Sequence, residues 1–375
     1  MRIVQVLQNF GNSSAGDAQC VKRLSQQLRE DGNHVTVLTL GNRTVQHSEK
    51  FDVISADGFF ERQLGFSFNL LGRLRKESLL SDILHGHNIW RGLHLFPLLI
   101  RNDCKAKVIW SPHGTLSNWA LNSKRFRKLP FWLALQRPSL QKSHCLHATS
   151  EFELEEFRQA GLRCPVAVIP NGIDVPEKLA GIEKKKTVAY LGRLNEKKGV
   201  DLLLRSWKSL QTEFPEWHLE IAGPIDDPFA GVLIELAKTL GLDRVHFLGE
   251  LLGVKKEAFY QQAAVFALPS HSENFGLVVG EALANATPVV TTTNTPWAVL
   301  NSLESGWCIE LSQQNLTNSL RMAMKTDIST LASMGHRGRT WVRDTYSWLT
   351  LSRQMHETYS WLQGTRDEPP WVFRD

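Results

Sequence analysis

The sequence predicts an α/β protein of two doubly wound domains facing each other across a cleft, and three observations carry that prediction. Short apolar runs alternate with amphipathic helical patterns along the chain. The alternation pauses once, near residue 170, and then restarts. A length of 375 residues with 42% hydrophobic and 22% charged composition suffices for two separate cores.

The elements follow in order. Residues 3–7 (IVQVL) read as a strand ending in a small polar loop, residues 9–16, after which Val21, Leu24 and Leu28 mark the apolar stripe of a helix that Gly32 stops. Residues 34–39, 83–87 and 108–111 read as further strands. At residues 166–174 (VAVIPNGID) a strand runs into Pro, Asn and Gly, and a charged linker follows. The pattern resumes at residues 187–192, with strands at 218–223, 245–249, 264–269 and 288–292. The expected boundaries are a Rossmann-like domain over 1–170, a linker over 171–186, a second Rossmann-like domain over 187–345, and a C-terminal helix over 346–364 that crosses back to the first domain. The tail, 365–375, with Pro369 and Pro370, is expected to fray.

Composition narrows the function. Five scattered cysteines without a C-x-x-C pair suggest neither a disulfide framework nor a zinc site, which fits a reducing cytoplasm. The N-terminal apolar run is too short for a signal peptide, and no run approaches a membrane span. Residues 1–170 carry 22 Lys and Arg against 14 Asp and Glu, whereas the remainder is net acidic. Much of the excess lies in residues 124–128 (KRFRK), followed by Leu129, Phe131, Trp132, Leu133 and Leu135. Basic residues beside aromatics suit an anionic membrane surface, and a solvated helix face with aromatic core contacts is the plain alternative. No nucleic-acid recognition motif accompanies the charge, so nucleic acid is not expected as a partner.

The chemistry concentrates after two strands of the second domain. Residues 272–284 (SENFGLVVGEALA) place Glu273 and Glu281 on either side of a helix start at the carboxyl edge of a sheet, where such folds bind ligands. Free N–H groups near Phe275, Gly276 and Leu277 point at an anion there, and Gly276 allows close approach to the backbone. Two acids this far apart, on the order of 12 Å along a helix, cannot share a proton but can grip hydroxyls on either side of a diphosphate. Residues 192–199 (GRLNEKKG) bring Arg193 and Lys198 to the same edge as a diphosphate clamp. In the first domain, Gly16 lies in the first loop and His113 follows a strand in residues 111–115 (SPHGT). His85 and His87 have the spacing of a ligand pair but no evident third ligand, and Asp226-Asp227 reads as a turn, so no metal is expected.

Together, residues 272–284, 192–199 and 170–174 resemble the retaining glycosyltransferases of family 4, with the two-domain GT-B fold, across essentially the whole chain. Residues 84–87, 111–116, 270–274 and 295–297 look most like the members that build bacterial surface polysaccharides. The resemblance implies transfer of a hexose from a nucleotide-diphosphate sugar (UDP, GDP or dTDP type) to a saccharide or polyprenyl-linked saccharide acceptor, for exopolysaccharide, capsule or lipopolysaccharide. The N-terminal domain is then the acceptor side, around residues 59–68 and Trp90, and the enzyme sits in the cytoplasm, peripherally at the inner membrane. Arg193 and Lys198 carry the diphosphate charge, Glu281 the ribose, Glu273 and Asn274 the hexose, and His113 approaches the sugar from the other domain. Gly223 and Leu248 flank the base, and no cofactor is implied. One departure stands out: Gly16 is followed by Asp17 where the family carries adjacent glycines. The alternative is a non-catalytic nucleotide-sugar-binding or membrane-surface scaffold of the same fold.

Overall fold

The computed structural model describes residues 1–8, 10, 16–40, 52–56, 68–99, 104–116, 125–226 and 228–374. The chain divides into two compact units, one formed by Met1–Gly172 with Trp348–Asp375 and the other by Ile173–Ser347. The helix Trp348–Leu362 therefore belongs to the first unit although it follows the second in sequence.

The first unit holds an eight-stranded sheet with strands β1 (Arg2–Leu7), β2 (His34–Leu40), β3 (Asp52–Ala56), β4 (Ile83–His87), β5 (Lys107–Ser111), β6 (Cys145–Ala148), β7 (Val166–Val168) and β14 (Val372–Phe373). Their order is β14-β7-β6-β5-β4-β1-β2-β3, all parallel except β14, which runs antiparallel to β7. The expectation of a frayed tail is thus overturned: Val168 N–H bonds the Trp371 carbonyl and the Trp371 indole donates to Thr358, so Pro369 and Pro370 precede a pinned edge strand. β1 lies between β2 and β4, which is where the winding direction reverses. Alternation along β4 puts His85 and His87 on one face and Gly86 on the other. Gly86 is under the Trp110 ring, where an added Cβ would lie 2.3 Å from ring carbon.

The second unit holds a six-stranded parallel sheet of β8 (Lys185–Leu191), β9 (His218–Ala222), β10 (Val245–Gly249), β11 (Ala263–Leu268), β12 (Val289–Thr292) and β13 (Gly306–Ile309), in the order β10-β9-β8-β11-β12-β13. β8 and β11 are read from sequence as apolar runs because they are covered on both faces; β11 is buried throughout. Trp207, Trp217, Trp297, Tyr190 and Tyr260 are fully buried in this unit's core. Helices start where side chains cap them, Ser312 accepting from Asn315 N–H and Asp327 from Thr330 N–H. The winding reverses between β8 and β11, and the loops leaving these two strands carry the residues singled out above.

The basic and aromatic segment is helical over Arg125–Phe131 and Arg137–Gln141, joined by a π-turn at Trp132–Gln136. Trp132 faces inward, Lys128 stacks over Trp90 at 5.2 Å, and the exposed apolar side chains are Leu129, Leu133 and Leu135. Lys124 and the acceptor segment 59–67 lie outside the described residues, as does Asp227. Among the described residues, no helix is long and apolar enough to cross a membrane.

Candidate active site

In the second unit, the loop after β8 bears Arg193 and Lys198 and the loop after β11 bears Glu273. The two loops meet in an ion pair: Lys198 Nζ lies 2.6 Å from Glu273 Oε1, with both side chains nearly buried. Ser270 Oγ donates to the same carboxylate oxygen at 2.6 Å. Burial alone would raise the Glu273 carboxyl, but the Lys198 ammonium and the Ser270 hydroxyl together hold it below the ordinary range. Glu273 is therefore a fixed anion whose Oε2 has no protein partner among the described residues. An ammonium has three donors, so Lys198 keeps further capacity toward a ligand.

Backbone geometry brings the loops this close. Gly199 sits at φ +65°, and a Cβ there would come within 2.2 Å of the Pro269 carbonyl. Gly276 sits at φ +75° immediately before the helix Leu277–Ala284, with the Trp297 indole donating to the Phe275 carbonyl at 2.5 Å. Tyr190, buried at the end of β8, donates to the Arg193 carbonyl at 3.0 Å and so fixes that loop, while the Arg193 side chain remains exposed. The first N–H groups of the helix Leu277–Ala284 have no acceptor within the helix.

Glu281, one helical turn further in, takes Lys256 on Oε1 at 2.6 Å and Tyr260 on Oε2 at 2.9 Å. Each oxygen keeps a second lone pair, so both can accept from vicinal hydroxyls. Glu273, Glu281, Arg193 and Lys198 thus share one sheet edge. Asn274, Phe275, Gly276 and Leu277 belong to the same loop and helix start, with Phe275 buried against Trp297 and Tyr346. Gly223 directly follows β9, and the Gly192 carbonyl fills the place of its missing Cβ, so it permits close strand packing rather than offering a wall. Leu248 is an exposed side chain on the edge strand β10, two strands away from β8.

The first unit concentrates histidines. His85 Nδ1 bonds Tyr359 at 2.7 Å, His85 Nε2 bonds Ser111 at 2.6 Å, Ser111 bonds His147 Nδ1 at 2.7 Å, and His147 Nε2 meets the Ile169 carbonyl at 2.7 Å. Beside this chain, His87 Nε2 meets Gln5 Oε1 at 2.7 Å and His87 Nδ1 meets His113 Nε2 at 3.0 Å. His113 stands at φ +55°, a left-handed conformation steadied by the next N–H, Gly114, donating to Glu153 at 2.6 Å. Burial pushes His147 down to about 4 and His94 to about 3, and lowers His85, His87 and His113 as well. The sequence offers no third ligand candidate beside His85 and His87; the fold brings His113 and His147 next to them. Among the described residues no group of three His, Cys, Asp or Glu is placed to hold a metal, and both ring nitrogens of His85, His87 and His147 are engaged, by Tyr359, Ser111, Gln5, His113 and the Ile169 carbonyl. Gly16 opens the helix Gly16–Glu30; most of its loop lies outside the described residues, and Asp17 beside it accepts from Asn88 Nδ2 at 2.5 Å.

Comparison with known proteins settles the family. A model described as Glycosyltransferase Family 4 matches residues 15–177, and one described as Glycosyl transferases group 1 matches residues 174–341. The chain belongs to the family 4 glycosyltransferases. It is 23% identical to the D-inositol 3-phosphate glycosyltransferase of Corynebacterium urealyticum over 97% of this chain and 95% of that one. Among solved structures it is similar to Anabaena HepE in complex with UDP and glucose, at TM-score 0.74 and 18% identity, covering 96% of this chain and 99% of that one. It is also similar to WaaG, described as a glycosyltransferase involved in lipopolysaccharide biosynthesis, at TM-score 0.71 and 17% identity, covering 96% and 99%. These structures share the two-domain GT-B fold with this glycosyltransferase.

Sequence reasoning missed the residues that hold the site rather than those that form it. Lys256 and Tyr260, which orient Glu281, and Tyr190, which pins Arg193, sit in ordinary helix and strand patterns. Glu153 carried a usable signal, a Ser-x-x-Glu start at residues 150–153, but its carboxylate turns away to Thr149 and Gly114.

Proposed function

We propose that this glycosyltransferase moves a hexose from a nucleotide-diphosphate sugar to a saccharide acceptor with retention of configuration and without a metal ion. The observation that carries the reading is the Lys198–Glu273 pair beside exposed Arg193, on the sheet edge from which the helix Leu277–Ala284 starts. Arg193, the spare donors of Lys198 and the N–H groups at Phe275, Gly276 and Leu277 hold the diphosphate and stabilise the charge it gains on departure. Glu281 takes the ribose hydroxyls. Glu273, anionic and anchored through one oxygen, offers the other to a hexose hydroxyl with Asn274 beside it. A carboxylate held in this way is a poor proton donor, and a diphosphate leaving group stabilised by cations needs none. The attacking hydroxyl then passes its proton to the departing phosphate oxygen on the same face of the sugar, which retains the anomeric configuration.

The donor side lies in residues 187–345 and the acceptor side in residues 1–170, where His113 contributes a hydrogen bond to the reacting sugar. The likeness to HepE with UDP bound and to WaaG supports a nucleotide-sugar donor and a role in building lipopolysaccharide, capsule or exopolysaccharide on a lipid-linked acceptor. Exposed Leu129, Leu133 and Leu135 with Lys128 supply a peripheral contact to the cytoplasmic face of an anionic membrane. The test is incubation with UDP-, GDP- and dTDP-hexoses and polyprenyl-diphosphate saccharides in EDTA, with NMR of the product linkage. An α-donor giving an α-linked product supports the reading. An inverted linkage, or nucleotide binding without transfer to any acceptor, contradicts it.

A further inference from the structure

The hydrogen bonds around His113 have a fixed direction. An amide oxygen only accepts, so Gln5 Oε1 at 2.7 Å makes His87 Nε2 the protonated nitrogen. Gln5 lowers the Tyr359 hydroxyl as an amide donor turned that way would, although its buried Nε2 makes no full hydrogen bond, and its oxygen is the atom on the His87 side. An uncharged His87 with its proton on Nε2 has a lone pair on Nδ1, and the His113 Nε2 that meets it at 3.0 Å must be the donor. His113 Nδ1 is left with a lone pair and no partner among the described residues. The rings of His87 and His113 lie nearly parallel, 5.2 Å between centroids, so the pair is held in plane as well as in direction.

From this geometry we infer that His87, backed by Gln5, is a positioning residue that locks His113 in the Nε2–H tautomer, so that His113 presents Nδ1 as a hydrogen-bond acceptor to a sugar hydroxyl. The inference rests on the reading of His113 as a contact of the reacting sugar and adds a substrate class to it. A lone pair at that position receives a hydroxyl proton and repels a carboxylate, so a hexose bearing a hydroxyl there is preferred over its uronate or its deoxy analogue. Burial keeps both rings uncharged, as the lock requires: it lowers His87, helped by the neighbouring His85, His113, His147 and His94, and it lowers His113 against the opposing pull of Glu153 and Asp17. The neighbouring chain from Tyr359 to Ile169 obeys the same logic, with the Ile169 carbonyl forcing the direction of every bond back to Tyr359.

Long-range proton–nitrogen NMR of the histidine rings in the full 15N-labelled chain tests the lock without needing activity, His113 being assigned by the loss of its signals in His113→Gln. The expected result is an uncharged His113 protonated on Nε2 at pH 7.5. His87→Phe, which keeps ring bulk and removes the acceptor, shifts His113 toward a tautomer mixture and raises the donor KM about fivefold, as for one lost hydrogen bond. His87→Gln, whose side-chain oxygen can accept, restores both. A wild-type His113 protonated on Nδ1, or a His113 unchanged by His87→Phe, overturns the lock, and if His87→Phe does not fold, the wild-type tautomer decides. A correct tautomer whose Nδ1 signal does not move when the donor sugar saturates the enzyme overturns instead the assignment of Nδ1 to substrate.

Discussion

Acid should unfold the first unit well before the second. His85, His87, His94 and His147 are all within 5% of full burial, and all are held uncharged by it. In the unfolded chain each titrates near 6.5. The unfolded state therefore binds more protons below that value, and folding stability falls as pH drops from 6.5 toward the depressed native values of about 4 for His147 and about 3 for His94. At pH 5.5 each fully shielded histidine costs about 1.4 kcal/mol relative to high pH, so four cost up to roughly 6 kcal/mol, a large part of a domain's stability. Glu273 is held below the ordinary carboxylate range, so its contribution is lost only at still lower pH and does not enter this window. The assay is urea unfolding from pH 7.5 to 5.5, read by hydrogen exchange at amides of β4–β6 and separately of β8–β11. At an m-value of about 2–3 kcal/mol per molar, the first unit's midpoint drops by roughly 2–3 M. Equal drops in both units, or none in the first, would refute the attribution to buried histidines.

Other perturbations separate the parts of the site. Glu273→Gln keeps the shape but strands Lys198, so transfer should fall by about two orders of magnitude or more, measured as initial rate at saturating donor. Tyr260→Phe removes one anchor from Glu281 and should raise donor KM several-fold with little change in kcat, consistent with a bond worth about 1 kcal/mol. Gly276→Ala places a side chain at φ +75° and 3.3 Å from the Trp297 indole nitrogen, which should cost about 1–2 kcal/mol in a denaturant titration. Leu129→Asp with Leu133→Asp should leave donor binding intact and abolish flotation with vesicles containing anionic lipid.

The fold was legible where period and punctuation agree: the apolar runs of β1, β4, β8 and β11 stand between helical stripes. β6 was not legible, because Cys-Leu-His-Ala carries a polar residue that only its partners, Ser111 and the Ile169 carbonyl, make compatible with burial. β14 was hidden by its two preceding prolines, and its pairing depends on β7, some 200 residues earlier. Arg193, Lys198, Glu273 and Glu281 could be placed on one sheet edge because strand ends fix direction in a parallel sheet. That Lys198 pairs with Glu273, leaving Arg193 as the exposed cation, is a matter of side-chain reach across two loops, which spacing along a chain does not encode.

The central claim, a metal-free diphosphate clamp built on Arg193, Lys198 and the start of the helix Leu277–Ala284, is tested most directly by calorimetric titration with UDP, GDP and dTDP in EDTA, using wild type and Arg193→Ala. The account predicts that one nucleotide diphosphate binds the wild type without metal and binds Arg193→Ala at least about tenfold more weakly, the loss of one charge-assisted contact. Binding that appears only on adding a divalent cation, or that is unchanged in Arg193→Ala, would contradict it.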